Sequence, residues 1–249
     1  MHSFKDLNIA KPLLNALEDL GFTEPTPIQE SAFPVVLSGK NVVGVSQTGT
    51  GKTLAYMLPI LQDLKFTKEK NPTVLIIVPT RELVIQVVDQ INAYSKYKTV
   101  SAIGVYGGTN INTQGLAVKQ GMDILVGTPG RLYDLVLARA VVLKNIKKLV
   151  IDEVDVMLDL GFIFQLNNIF ELLPEKRQNI MFSATMTEEV DALIKAFFYS
   201  PVQLSIAISG KRLENIEQVS YAAPNFHTKA NLLAHLLKTD SDMMKVLVF

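Results

Sequence analysis

The chain contains no cysteine. That absence excludes disulfides and thiolate metal centres. Histidine is scarce too: His2, His227 and His235 are scattered, so no histidine metal cluster is expected. Neither sign of charge is in excess, with 24 Lys and Arg against 24 Asp and Glu. No global field announces a nucleic-acid partner, and any basic surface must be local. Long apolar runs are missing: Val74-Leu75-Ile76-Ile77-Val78 falls far short of a membrane span. The start, Met1-His2-Ser3-Phe4-Lys5-Asp6, lacks the apolar core of a signal peptide. These absences predict a soluble, cytoplasmic protein with no membrane partner.

What is present is apolar and alternating. The 249 residues are 48% hydrophobic, enough for one large domain or for one domain and part of another. Short β-rich runs at 41–45, 73–78, 100–106, 122–126, 148–151, 179–182 and 202–206 predict strands. Helical periodicity predicts helices over 11–20, 27–37, 81–97, 112–119, 131–138, 164–172 and 188–199, with another starting at 53. Thr26 before Pro27 reads as an N-cap with proline at the first helical position, and Pro34 as an irregularity further along. Strands alternating with helices predict an α/β fold: a doubly wound, largely parallel sheet with helices on both faces. A polar stretch at 208–215, containing Gly210, reads as a linker. Beyond it a strand over 216–222, a helix over 225–237 and a buried strand over 245–249 are expected, as the truncated start of a second domain.

One stretch organises the rest. Ser46-Gln47-Thr48-Gly49-Thr50-Gly51-Lys52-Thr53 lies between a strand-like and a helix-like run, the context a phosphate-binding loop requires. Gly49 and Gly51 let backbone N–H groups turn inward to cradle an anion, aided by the helix dipole. Lys52 would reach the β- and γ-phosphates, and the Thr53 hydroxyl would ligate Mg²⁺. Ser46 stands where the general pattern has glycine. Taken alone, the stretch could be a glycine-rich turn that happens to contain Lys-Thr. Carboxylates belong at the end of a neighbouring strand, and Leu149-Val150-Ile151 leads straight into Asp152-Glu153-Val154-Asp155. Asp152 can hold Mg²⁺, partly through water, and Glu153 can orient or deprotonate an attacking water. The Gln29 carboxamide offers the donor and acceptor that an adenine edge needs, and Phe22 could stack on the base. By itself a glutamine there is equally a helix-surface residue.

Taken in order, Gly21-Phe22, Thr26-Pro27-Ile28-Gln29, Thr48-Gly49-Thr50-Gly51-Lys52-Thr53, Pro79-Thr80-Arg81-Glu82-Leu83, Gly107-Gly108, Thr128-Pro129-Gly130-Arg131, Asp152-Glu153-Val154-Asp155 and Ser183-Ala184-Thr185 resemble the first RecA-like domain of a DEAD-box RNA helicase. The resemblance implies a RecA-like P-loop NTPase fold over 1–207, with an adenine-reading Q motif at 21–29 and a second RecA-like domain beginning at 216–249. It implies ATP and Mg²⁺ as cofactors and RNA as partner. Phe22, Thr26, Pro27 and Gln29 would read adenine; Gln47, Thr48, Gly49, Thr50, Gly51, Lys52 and Thr53 would hold the phosphates. Lys52, Asp152 and Glu153 would carry the catalysis, with Thr53 and Asp152 on the metal. Pro79, Thr80, Arg81, Gly107, Gly108, Thr128, Pro129, Gly130 and Arg131 would grip the RNA sugar-phosphate backbone. Asp155 with Ser183, Ala184 and Thr185 would couple nucleotide state to RNA binding.

That grip carries no base information, so RNA binding should be salt-sensitive and largely independent of sequence. Arg131 also reads as a brace between loops. Val154, Val84, Val87 and Ser46 depart from the usual family residues, the first three as packing changes. No arginine-finger motif of the family's second domain is present, so this chain alone should bind ADP or ATP and hydrolyse poorly. Two other readings stay open: an ATP-gated RNA clamp, and a DNA-directed motor with the same core. Gln29 and Asp155 argue against the latter.

Overall fold

The computed structural model describes residues 3–47, 49–65, 70–205, 219–239 and 245–248. The chain divides into two compact units, Met1–Ile208 and Ser209–Phe249.

In the first unit, helices α1 (Lys11–Asp19) and α2 (Pro27–Leu37) precede β1 (Val42–Val45) and α3 (Lys52–Asp63). Then β2 (Val74–Ile77), β3 (Ala102–Val105) and β4 (Ile124–Gly127) alternate with α4 (Arg81–Tyr94), α5 (Ile111–Lys119) and α6 (Pro129–Leu137). The series closes with β5 (Lys148–Asp152), α7 (Val154–Asp159), α8 (Ile163–Leu172), β6 (Gln178–Ser183), α9 (Glu188–Phe197) and β7 (Val202–Ser205). The seven strands form one sheet in the order β3-β4-β2-β5-β6-β1-β7. Every pairing is parallel. This is the RecA-like α/β architecture that the alternation and the motifs predict.

Successive strand residues point to opposite faces, so each central strand feeds two cores. Val42, Ile76, Val126, Val150 and Ile180 pack on one side with α1 to α4. Val43, Leu75, Leu125, Leu149 and Met181 pack on the other with α6 to α9. Val84, Val87 and Val154 are buried in these cores, which makes them packing residues. The sheet is tightest at Gly44, where a Cβ would lie 2.3 Å from the Phe182 ring. Tyr56 packs against the same ring, with centroids 5.7 Å apart. Gly44→Ala is therefore expected to lose about 1–3 kcal/mol by overpacking, measured as a lower urea midpoint with unchanged slope.

Several boundaries differ from the periodicity. Helix α4 stops at Tyr94 and α9 at Phe197. Both end earlier than the apolar pattern suggests; α9 stops where Phe198 turns extended, at φ −112° and ψ 115°. The Ser95 hydroxyl donates to Ile91 O at 2.6 Å. Helix α3 runs through Pro59 to Asp63. Helix α7 has only 6 residues, too few to show a period. No described helix is long and apolar enough to cross a membrane.

In the second unit, α10 (Phe226–Thr239) starts at Asn225, whose side chain accepts from Thr228 N at 2.9 Å. The expected linker at 208–215 and residues 216–218 of the expected strand lie outside the described residues. Residues 219–222 carry no strand. The buried strand expected at 245–249 is a correction: 245–248 form no strand and are exposed, Leu247 at 78%. Apolar composition alone does not make a strand when no described strand of that unit stands beside it to pair with the backbone.

Candidate nucleotide site at the carboxyl ends of the strands

Parallel strands carry all their carboxyl ends to one side of the sheet. The segments after β1, β2, β3, β4, β5 and β6 therefore meet there, and they hold all the described site residues predicted from sequence except those of the 21–29 motif. That motif joins them through α2. Gln29 Oε1 accepts from Thr26 N at 2.9 Å, and Gln29 Nε2 donates to Gly51 O at 3.1 Å. The Thr26 hydroxyl donates to Thr50 O at 2.9 Å. The start of α2 is thus strapped to the phosphate loop. Gln29 keeps one N–H and one lone pair unspent, the pair that an adenine edge needs. The sequence reading missed the strap, although the Thr-x-x-Gln spacing of a capping box signals half of it.

The loop's backbone explains its glycines. Gly49 and Gly51 have φ of +80° and +85°, in the left-handed region. Gly51 caps α3, and a Cβ there would lie 2.3 Å from Gln29 Nε2. Ser46 is buried, and its N–H donates to Ser183 O at 3.0 Å, carrying the β1–β6 pairing one step further. The Thr50 hydroxyl lies 3.2 Å from Ser46 Oγ and 2.9 Å from Gln47 O. A serine there braces the loop from inside. Thr48 lies outside the described residues.

Beside the loop is a cavity of about 400 Å³, lined by Phe22, Gln29, Gly49, Gly51, Lys52, Thr53, Asp152 and Glu153. Gln86, Gln90 and Tyr94 of α4 close its far side. Nothing in the motifs points to these three, since they sit on a helix face without a chemical pattern. Phe22 meets Tyr94 edge-on, centroids 6.4 Å apart.

The electrostatics are unbalanced. Lys52 Nζ and Asp152 Oδ1 are buried with no hydrogen-bond partner among the described residues. Burial raises the Asp152 carboxyl to about 6, although the Lys52 charge pulls it down. The fully buried Tyr56 phenol is pushed well above its ordinary value, by burial and then by the Asp152 charge. The unpartnered Lys52 Nζ and Asp152 Oδ1 are each open to a group from outside, an anion at the ammonium and a cation at the carboxylate. A phosphate group and a divalent ion fit that donor set. Glu153, next in line, sits at φ 57°, a left-handed conformation that a side chain rarely adopts.

Asp155 ties two loops together. Its Oδ2 accepts from Ala184 N at 3.1 Å, Thr185 N at 2.9 Å and Thr185 Oγ1 at 2.9 Å. The Ser183 hydroxyl donates to Thr185 O at 2.6 Å. Burial pushes this carboxyl up, but the Thr185 hydrogen bonds outweigh it and hold it below its ordinary value. A depressed carboxyl stabilises the fold above the unfolded value near 4, and that contribution fades as pH falls through the folded one. Asp155→Ala should cost about 2 kcal/mol, or about 4–8 °C in melting midpoint at neutral pH. It should also flatten the acid limb below about pH 4, and calorimetry across pH checks both.

The segments assigned to the RNA backbone lie at the ends of β2, β3 and β4. Pro79 and Thr80 lead into α4, where Thr80 Oγ1 accepts from Leu83 N at 3.3 Å. The Arg81 guanidinium lies over the Tyr106 ring, 5.0 Å from its centroid. Gly108 has φ +78°, with open space around it. Thr128, Pro129 and Gly130 open α6. Arg131 donates to Gln114 Oε1 at 2.8 Å and to Thr109 O at 2.8 Å, the contacts of a loop brace, while its Nε has no hydrogen-bond partner among the described residues. Gln114, which no motif marks, also donates to Tyr106 O at 3.2 Å.

A sequence profile described as DEAD/DEAH box helicase matches residues 26–193. The chain is 41% identical over 215 residues to the DEAD-box ATP-dependent RNA helicase CshA of Streptococcus pneumoniae, covering 86% of this chain and 41% of that relative. It is 37% identical over 247 residues to the ATP-dependent RNA helicase DeaD of Escherichia coli, covering 99% of this chain and 39% of the relative. A pre-mRNA-processing ATP-dependent RNA helicase, prp-5 of Neurospora crassa, is 36% identical over 257 residues, 99% of this chain and 22% of the relative. The chain thus spans less than half the length of these relatives. A profile match over most of the sheet, on motifs that the fold gathers at one end, places the chain in the DEAD/DEAH box helicase family.

Proposed function

We infer that this chain is the nucleotide-binding half of an ATP-dependent RNA helicase, acting in the cytoplasm. The observation that carries the reading is the buried pair Lys52 Nζ and Asp152 Oδ1, both without hydrogen-bond partners among the described residues and both lining the cavity beside the phosphate loop. In this reading residues 1–207 form the ATP-binding RecA-like domain. Residues 208–215 are the linker, and 216–249 open the second RecA-like domain, the partner within the polypeptide.

The chemistry follows from the residues. Inward N–H groups of the glycine loop and the Lys52 ammonium hold the phosphates of ATP. Thr53 and Asp152 are the residues that would hold Mg²⁺, partly through water, and a bound ion there supplies charge neutralisation at the phosphates. Glu153 orients the attacking water and takes its proton. Gln29 reads the adenine edge with its unspent N–H and lone pair, and Phe22 stacks on the base. Pro79, Thr80, Arg81, Gly107, Gly108, Thr128, Pro129, Gly130 and Arg131 contact the RNA backbone, and Arg131 also braces their loops. Asp155 transmits nucleotide state through Ser183, Ala184 and Thr185 to local strand separation. The chain alone binds ATP or ADP and turns over slowly, because arginine fingers add about 10³–10⁵ in rate in related phosphoryl-transfer systems.

The test is a titration of ATP against GTP with wild type and Gln29→Ala. ATP preference in the wild type is expected to vanish in the variant, together with about tenfold of ATP affinity, since the Gln29–Gly51 bond, one of two that tie α2 to the loop, is lost. Equal binding of ATP and GTP by the wild type would refute the adenine-reading role.

A further inference from the structure

The amino ends of the strands gather on the opposite side of the sheet, and the reading above uses nothing there. Two adjoining cavities, about 590 Å³ and 310 Å³, share Thr73 and Lys147 as a common wall. Together they are lined by Lys65, Lys144, Lys147, Lys148 and Lys176 against one carboxylate, Asp63. Lys148 neutralises that carboxylate at 3.1 Å and also donates to Gln178 at 2.7 Å. Lys65, Lys144, Lys147 and Lys176 are exposed, and none has a carboxylate partner among the described residues. The floor is tied by backbone hydrogen bonds: Lys147 N donates to Thr73 O at 2.8 Å, and Gln178 N to Lys147 O at 2.8 Å.

We propose that this trough is a second binding site for single-stranded RNA, held by its phosphates and independent of bound nucleotide. Four ammonium groups with no carboxylate partner among the described residues, in two adjoining concavities, are a strong local excess on a chain whose formal net charge is zero. A concave surface of one sign focuses the field and concentrates a polyanion. Lysines are mobile point charges, suited to a run of phosphates rather than to one fixed headgroup. A flat bilayer cannot follow a recess, whereas a flexible strand can. The identity of the polyanion rests on the RNA reading above, but the site does not.

The experiment is fluorescence anisotropy of a labelled RNA of about 20 nucleotides with the whole chain, from about 50 to 200 mM salt, with and without ATP. Replacing Lys65, Lys144, Lys147 and Lys176 together by Gln is expected to weaken binding by about tenfold or more at low salt. It should reduce the slope of log affinity against log salt by about 3, at about 0.7 per phosphate. The double variant Lys65→Gln/Lys176→Gln should give about half that change in slope. ATP affinity and melting midpoint should match wild type. Wild-type RNA affinity and slope in the fourfold variant overturn the trough, and so does absence of RNA binding by the wild type. Arg81→Gln separates the two readings: binding lost there and kept in the lysine variants leaves the carboxyl-end assignment standing without the trough. Wild-type binding to phosphatidylserine vesicles, with none to RNA, overturns the ligand.

Discussion

Glu153→Gly is expected to melt at up to about 6 °C above wild type and, in a chain carrying both helicase halves, to hydrolyse ATP about 10²–10⁴-fold more slowly with RNA present. Both effects have one origin. Glu153 sits at φ 57° between β5 and α7, where an L-residue pays about 1–2 kcal/mol. Glycine has no such penalty, and its larger unfolded-state freedom removes about 0.5–1 kcal/mol of the gain, which leaves the modest rise. The strain persists because the turn aims a carboxylate at the cavity beside the phosphate loop. Glu153→Gln separates the two effects: it should melt with wild type and still lose the rate. Thermal melts and steady-state hydrolysis on the three proteins decide it. Wild-type turnover in either variant removes Glu153 from the chemistry, and a lower melting midpoint for the glycine variant shows that the backbone there is not strained.

Gly51→Ala should weaken ATP binding by roughly 30- to 4,000-fold, from about 2–5 kcal/mol of combined cost. The new methyl meets Gln29 Nε2 at 2.3 Å on a backbone already at φ +85°. Gln29 can swing away, but only by giving up its bond to Gly51 O, which leaves the Thr26–Thr50 bond to hold α2 to the loop. Gly49→Ala is the control. It has the same left-handed backbone, φ +80°, with nothing within 4 Å of the added carbon. Strain alone should then cost about 1–2 kcal/mol. Combining Gly51→Ala with Gln29→Ala should cost less than the sum, because one contact is broken in both. Additive losses by calorimetric titration would show that the strap does not hold the loop.

Much of this architecture can be read from the residues, and the unreadable part has a common cause. Strand positions follow from β-branched runs bounded by turns, and parallel pairing from their unbroken apolarity. The site residues follow from short motifs that the fold must bring to the carboxyl ends of its strands. Neither periodicity nor motif states which side chain another one is holding. Arg131 matches a phosphate-ligand motif, and only the structure shows Gln114 and Thr109 taking some of its donors. Gln29 looks like a base reader alone until Gly51 claims half of its amide. Gln86, Gln90 and Tyr94 line the cavity from a helix that advertises only its packing face. Residues 245–248 show the opposite failure, where a strand-like composition meets no described strand in its own unit.

The sheet order has a consequence for biosynthesis. Strand β1, which leads into the phosphate loop, lies between β6 and β7, and Asn41 is separated from its partner Asn179 by 138 residues. At about 5–20 residues per second, a ribosome needs about 7–28 s to supply the neighbour that β1 requires. Throughout that interval Val42 and Val43 have finished synthesis with no strand to pair with. Chaperone occupancy on the nascent chain should therefore persist until β6 emerges, and a stalled message that ends before residue 178 should release an aggregating product rather than a smaller folded domain.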